Sequence, residues 1–336
     1  ESMVDARLRL RANSVNGYSP NPTDTSNVVW EFTIRVISTT TSFAHTYRPV
    51  DVENLRWVTQ QKIVGATSTS RFGSSVAMNQ NESVMVVGGP AFNSNQGAIW
   101  IYHRVGLNWV LHTGPRQATG ISGTSYQGVS VDIFDSTIVV GAYGCSSNAG
   151  CTIVYEYDGV SIWYQKQLLV GTGASGTAGQ GYSVSIHGDT IAIGGYTDAS
   201  SVGATWIFVR NSSGLYNQQG SKLVGTGNTG SSLQGISVSF WGDSVAIGAP
   251  NDNSVIGAVW VFTRSAGTWS QQGSKITASG SIGSFTRFGY SVALQRDTLV
   301  VGATTEHSTG AMYILTRSGS TWTQRQRLVG SNPVSN

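Results

Sequence analysis

Charge is scarce in this chain: Asp, Glu, Lys and Arg make up 11% of its 336 residues, and the formal balance is only +3. The basic residues are scattered, with no stripe able to track a phosphate backbone, so no nucleic-acid partner is expected. Long apolar runs are missing too, and no stretch reaches the roughly 18–20 apolar residues of a membrane-spanning helix. The histidines, His45, His103, His112, His187 and His307, show no metal-ligand spacing. No metal and no cofactor are expected. The only two cysteines, Cys145 and Cys151, lie six positions apart in a Gly/Ser/Asn-rich loop. A disulfide closing that loop is the favoured reading, two free thiols the alternative, and metal binding the weakest because no His or third Cys lies nearby. The chain opens at Glu1, which reads as a removed leader or a fragment.

What is abundant is glycine, 42 residues, together with 39% apolar residues and many serines and threonines between apolar runs. That is the profile of many strands and many turns, an all-β chain. Self-similarity then organises it. Aligned on one glycine, the units read Arg71-Phe72-Gly73-Ser74-Ser75-Val76, Gln127-Gly128-Val129-Ser130-Val131, Gln180-Gly181-Tyr182-Ser183-Val184, Gln234-Gly235-Ile236-Ser237-Val238 and Arg287-Phe288-Gly289-Tyr290-Ser291-Val292. The glycines are 55, 53, 54 and 54 residues apart. A second mark follows in each unit: Val87-Gly88-Gly89-Pro90, Val140-Gly141-Ala142-Tyr143, Ile193-Gly194-Gly195-Tyr196, Ile247-Gly248-Ala249-Pro250 and Val301-Gly302-Ala303-Thr304.

Each unit holds four β-rich runs, A to D, predicted in the fourth at 236–240, 244–248, 258–263 and 268–275. Strand D opens on an aromatic: Trp57, Trp109, Trp163, Tyr216, Trp269 and Trp322. A four-stranded sheet of this size cannot bury both faces alone, so successive sheets stack, and radial stacking is a β-propeller.

Phe-Gly followed by Val-Gly-Ala-Pro, with a leading Trp-x-x-Gln-Gln, resembles the FG-GAP repeats of integrin-α-like propellers over residues 57–329. The middle three units replace Phe with Gln127, Gln180 and Gln234, and Pro survives only as Pro90 and Pro250. The A–B turns are too short and too poor in carboxylates for the acidic calcium loop usual in integrin-type units. The chain is more similar to calcium-free FG-GAP variants of extracellular proteins.

Five A-to-D sets are complete, and Trp57 opens a sixth D strand. Six blades are therefore expected, residues 57–336 forming the repeats and residues 1–56 a divergent first blade, an N-terminal arm, or both; a seven-bladed ring is the second reading. Ala6–Ala12, Val29–Ile37 and His45–Val50 are the candidate strands ahead of Trp57, and Arg7, Arg9 and Arg11 on the first are candidate contacts to neighbouring molecules.

In this topology the B–C and D–A connections share one rim, which carries the long loops, and A–B and C–D turns share the other. Loops carry binding residues. Arg71, Tyr126, Tyr143, Tyr196, Phe285 and Arg287 are the candidates for a protein or sugar partner on the long-loop rim, with simple packing of the rim as the alternative. The B–C loops are expected to differ in length and content, which favours protein contacts over repeated sugar sites. Sequons at Asn81 and Asn211 fall on the opposite rim and make the chain a candidate glycoprotein. Asp198, Asp252 and Glu306 occupy comparable B–C loops; converging carboxylates are the one opening for hydrolase chemistry, and a weak one. The function expected is a non-catalytic, secreted or surface-displayed structural or adhesive propeller contacting other subunits, itself included; a lectin-like propeller is the alternative.

Overall fold

A computed structural model describes residues 61–65, 69–281, 283, 285–306 and 309–330, and the backbone of two strands ahead of them. Those two, β1 (Val4–Arg11) and β2 (Val29–Val36), pair antiparallel with Arg7 opposite Thr33, Arg9 opposite Glu31 and Arg11 opposite Val29. The chain divides into two compact units, Glu1–Gln60 and Gln61–Asn336. The side chains of Arg7, Arg9 and Arg11, and the run expected at 45–50, lie outside the described residues, as does Trp57.

The second unit is all-β. Its first sheet is β3 (Ser75–Met78), β4 (Val84–Gly89), β5 (Ala98–Val105) and β6 (Asn108–Arg116). The second is β7 (Val131–Phe134), β8 (Thr137–Ala142), β9 (Cys151–Tyr157) and β10 (Trp163–Leu169). β11 (Ser183–His187), β12 (Thr190–Gly195), β13 (Ala204–Arg210) and β14 (Tyr216–Gln218) form the third. β15 (Ser237–Trp241), β16 (Ser244–Ala249), β17 (Ala258–Ser265) and β18 (Thr268–Gln271) form the fourth. The fifth is β19 (Phe288–Gln295), β20 (Thr298–Ala303), β21 (Ala311–Ser318) and β22 (Thr321–Leu328). Each sheet is a four-stranded antiparallel meander in sequence order, the blade expected of each unit. The outer strand of the fourth ends at Gln271, short of the expected 275, because Gly273 turns the chain at φ +69° and the Gln271 side chain donates to its carbonyl.

The two glycine marks have one physical explanation. Each second-mark glycine of one sheet lies against the carbonyl of the first-mark glycine of the next: Gly88 on Gly128, Gly141 on Gly181, Gly194 on Gly235 and Gly248 on Gly289, with no room for a Cβ. Ser75, Ser130, Ser183 and Ser237 then donate to those same carbonyls at 2.8–2.9 Å. Blade stacking is thus written as Gly against Gly with a serine clasp, and it recurs at four junctions.

The Phe-to-Gln departure is explained in the same way. Phe72 and Phe288 pack edge-on against Trp100 and Tyr313. Gln180 and Gln234 are buried instead and use both ends of the amide on the backbone of Gly171 and Gly225, at 2.6–3.2 Å. A buried amide needs such partners. Between the blades lie Val, Ile, Trp and Tyr clusters, among them Trp163, Trp206 and Trp260, each almost fully buried.

Candidate functional site

The B–C connections were expected to be unequal, and here the structure corrects the sequence reading. In four blades they have one length and one conformation, a single turn of left-handed helix at Phe92–Asn95, Cys145–Asn148, Asp198–Ser201 and Asp252–Val255. Each places three residues at positive φ, for example Ser146, Ser147 and Asn148 at 53°, 57° and 69°. Such residues cost roughly 1–2 kcal/mol apiece outside glycine, so something must hold them. In the second blade a disulfide joins Cys145 to Cys151 across the turn, as favoured from the sequence. In the third, Asp198 is fully buried, accepts from the Ser175 amide at 2.7 Å and pairs with Lys222 at 2.5 Å. Asp252 does the same with the Thr229 amide and Lys275. In the fifth blade Glu306 pairs with Arg327 at 2.7 Å and accepts from the Tyr313 hydroxyl. The three acids that suggested a carboxylate cluster are each bound to a cation of their own blade, and they serve as loop locks.

These turns position the next D–A loop. The amides of Tyr126, Gly179, Leu233 and Arg287 donate to the carbonyls of Asn95, Asn148, Ser201 and Val255 at 2.9–3.0 Å, the same bond four times. Arg71, Tyr126 and Arg287 therefore occupy one repeated position, each left-handed, with φ of 51°, 54° and 52°. Strain of this kind at a loop rim marks a site worth weighing for function.

On this rim, blades two and three bring aromatic rings together. Tyr126 stacks on Tyr143 at 4.8 Å, Tyr143 meets Tyr182 at 5.5 Å, and Tyr182 meets Tyr196 at 4.4 Å. Three of these were selected from the sequence. Tyr182, which joins them, was not, although its place directly after the repeat glycine, opposite the Tyr143 and Tyr196 position, could have pointed to it. The Arg71 guanidinium is close enough to Tyr143 to act on its hydroxyl electrostatically. Burial pushes the hydroxyls of Tyr143, Tyr182 and Tyr196 above their ordinary value of 10, and neighbouring tyrosines add to this for the first two. All are therefore neutral donors at physiological pH. Phe285 and Arg287 are exposed on the rim of the fifth blade, and no ring contact joins them to the tyrosines.

The opposite rim is made of tight turns. Asn81 and Asn211 are exposed there, each closing its turn through its side-chain oxygen, to Ser83 and to Ser213 and Leu215. Among the described residues no cluster of three or more His, Cys, Asp or Glu could hold a metal ion, and no helix is long and apolar enough to cross a membrane.

Stacked four-stranded meanders with a loop-bearing rim define a β-propeller-like protein. Residues 269–315, from the Trp269 strand across the blade junction into β21, match the family model of the FG-GAP repeat. The resemblance read from the glycines therefore holds over that stretch, where the chain is similar to an FG-GAP repeat. No curated protein matches the chain.

Proposed function

We propose that this chain is a non-catalytic, extracellular, six-bladed propeller that builds a protein assembly at a cell surface, filament, appendage or virion, with the tyrosine platform of its loop rim as a contact surface. The observation that carries this is the Tyr126–Tyr143–Tyr182–Tyr196 cluster beside Arg71, because tyrosine and arginine supply large contact area at low entropic cost and dominate protein interfaces. The disulfide supports an oxidising compartment. Glycans at Asn81 and Asn211 would occupy the opposite rim and leave this one free. The binding loops sharing one conformation while differing in side chain favours one composite surface over a set of equal sugar sites.

Light scattering of the full chain over a hundredfold concentration range tests the reading. Self-association that weakens about tenfold or more in Tyr143→Ala is the expected result. A monomer throughout, combined with glycan-array binding that Tyr143→Ala abolishes, would instead make the rim a lectin site, since tyrosine faces also suit sugar C–H groups.

A further inference from the structure

Two positions of each repeat lie on the loop rim: the residue two before the first-mark glycine and the residue two after the second-mark glycine. They hold Arg71 and Pro90 in the first blade, Gly179 and Tyr196 in the third, Leu233 and Pro250 in the fourth, and Arg287 and Thr304 in the fifth. Among these five blades only the second has an aromatic ring at both, Tyr126 and Tyr143. It also has glycine at the next position, Gly144, where the others carry Ala91, Thr197, Asn251 and Thr305. A Cβ on Gly144 would stand 2.1 Å from the Thr124 carbonyl oxygen and 2.9 Å from Tyr126 Cδ2. The missing side chain therefore lets the loop that carries Tyr126 close onto the turn that carries Tyr143. The Gly144 amide donates to the Ser125 carbonyl at 3.2 Å and the Tyr126 amide to that of Asn95 at 2.9 Å, which fixes the backbone beneath both rings.

The two rings lie 4.8 Å apart and within 8° of parallel. Tyr182 and Tyr196 are closer, at 4.4 Å, but inclined by 56°, and Tyr143 meets Tyr182 at 62°. Orientation decides what each pair can do once oxidised. A phenol that loses one electron and its hydroxyl proton becomes a phenoxyl radical. Its unpaired electron occupies the π lobes above and below the ring, with high density on the carbons ortho to the oxygen. Two such radicals bond along lobes that face each other, so parallel rings are aligned for coupling and inclined rings are not. Neither the Tyr126 nor the Tyr143 hydroxyl bonds to another described residue, and both side chains are half-buried. Their protons are therefore not tied up in the fold, and the pair has the advantage of any intramolecular reaction between preoriented groups.

We propose that Tyr126 and Tyr143 form a modification site, coupled by one-electron oxidation into an intramolecular dityrosine that staples the D–A loop to the B–C turn of the second blade. The oxidant is of the haem peroxidase class, with hydrogen peroxide as the final electron acceptor. One electron leaves each phenol, each hydroxyl proton passes to water, and the two radicals pair in a single bond between an ortho carbon of each ring. Those two carbons then release their hydrogens as protons while each oxygen regains one, which restores two phenols. In balance, two C–H bonds break and one C–C bond forms, and the two electrons and two protons removed reduce one peroxide to two waters. The staple stands beside the Cys145–Cys151 disulfide. The second blade thus closes its rim with oxidative cross-links where the third, fourth and fifth use the ion pairs of Asp198, Asp252 and Glu306. The reaction uses part of the tyrosine platform but needs no partner on it.

The test treats the full chain with a haem peroxidase and limiting hydrogen peroxide at a low and a high protein concentration, read by dityrosine fluorescence and tandem mass spectrometry. The expected product has single-chain mass less two hydrogens, with the link mapped to residues 126 and 143 and a yield per chain that does not change with concentration. Tyr126→Phe keeps the ring and its packing and removes only the phenol oxygen, so it should lose this product, whereas Tyr196→Phe should retain it. A link mapped to Tyr182 and Tyr196 would show that separation and not orientation governs the coupling, and would overturn the proposal. So would a product found only at twice the chain mass, fluorescence that survives Tyr126→Phe, or no coupling at all. Self-association that depends on Tyr143 is read by light scattering on the unoxidised chain, so either idea can fail without the other.

Discussion

Gly141 of the second sheet and Gly181 of the third meet α-carbon to carbonyl, so closely that a methyl group on Gly141 would collide with the Gly181 oxygen and with Ser130 Oγ. Both obstacles sit on a packed junction, and the nearer is backbone, so the strain cannot be relieved by a rotamer. Gly141→Ala is expected to cost about 3 kcal/mol in chemical unfolding, at the upper end of overpacking effects. Ser130→Ala, which removes only the clasp, should cost about 1 kcal/mol. Gly159 has φ +82° and nothing near its Cβ position, so Gly159→Ala should cost only the left-handed backbone penalty, about 1 kcal/mol. Gly141 itself has no left-handed φ, so a loss at 141 no larger than at 159 would overturn the steric role of the joint.

Asp252 is inaccessible, and its partner Lys275 is mostly buried. Asp252→Ala strands a cation and an orphaned Thr229 amide, for which about 3 kcal/mol is expected. Asp252→Asn keeps an acceptor for Thr229 and should lose about half as much. Limited proteolysis should then cut first near Asn253 and Thr229, because the ion pair holds a left-handed turn onto the next loop. Cleavage unchanged from the parent would remove the locking role.

Much of this was legible in the sequence. Glycine spacing gave the blades, since a joint with no room for Cβ tolerates no other residue, and the alternation of strands such as Ala258–Ser265 gave their faces. The polar rim was less legible. Three consecutive left-handed residues carry no signature when they can be Asn-Ser-Asn in one blade and Ala-Ser-Ser in another, so equal loops looked unequal. Asp198 and Asp252 read as loop acids because their cations, Lys222 and Lys275, lie about 23 residues downstream. Tyr182 was missed because the cluster is assembled between blades, and sequence periodicity reports contacts within one.

Val255 closes its turn at φ +72°, a conformation that a β-branched side chain rarely adopts. The equivalent residues are Asn95, Asn148 and Ser201, of which the two asparagines tolerate it best. Val255→Asn is expected to stabilise the protein by about 1 kcal/mol, read as a higher denaturant midpoint at unchanged slope. A loss of stability instead would mean that the valine side chain packs usefully enough to outweigh its backbone.

His103 and His112 stack at 4.0 Å between the first two blades, and His103 Nε2 accepts from the indole N–H of Trp163 at 3.2 Å. A nitrogen that accepts must carry no proton. Burial first, and the charge His112 would carry second, hold His103 below its ordinary 6.5; burial does the same to His187. The unfolded chain therefore takes up protons before the folded one, so stability is full above about 6.5 and falls as pH drops through that value toward the depressed folded values. Asp132 acts in the opposite sense. Burial raises its carboxyl above 3.8 despite bonds from the Ile133 and Ile186 amides, and its share of stability falls as pH rises through that window. Melting temperatures at pH 7.5 and 5.0 should show a loss on acidification that shrinks in His103→Gln, whose amide oxygen can still accept from Trp163. Ser185 and Ser239 accept the amides that correspond to Ile186, so Asp132→Ser keeps the bond, removes the opposing titration and should make the loss steeper when acidification is carried down to pH 3.8. An acid loss unchanged by His103→Gln would place the sensitivity elsewhere, with His187 the next residue to replace.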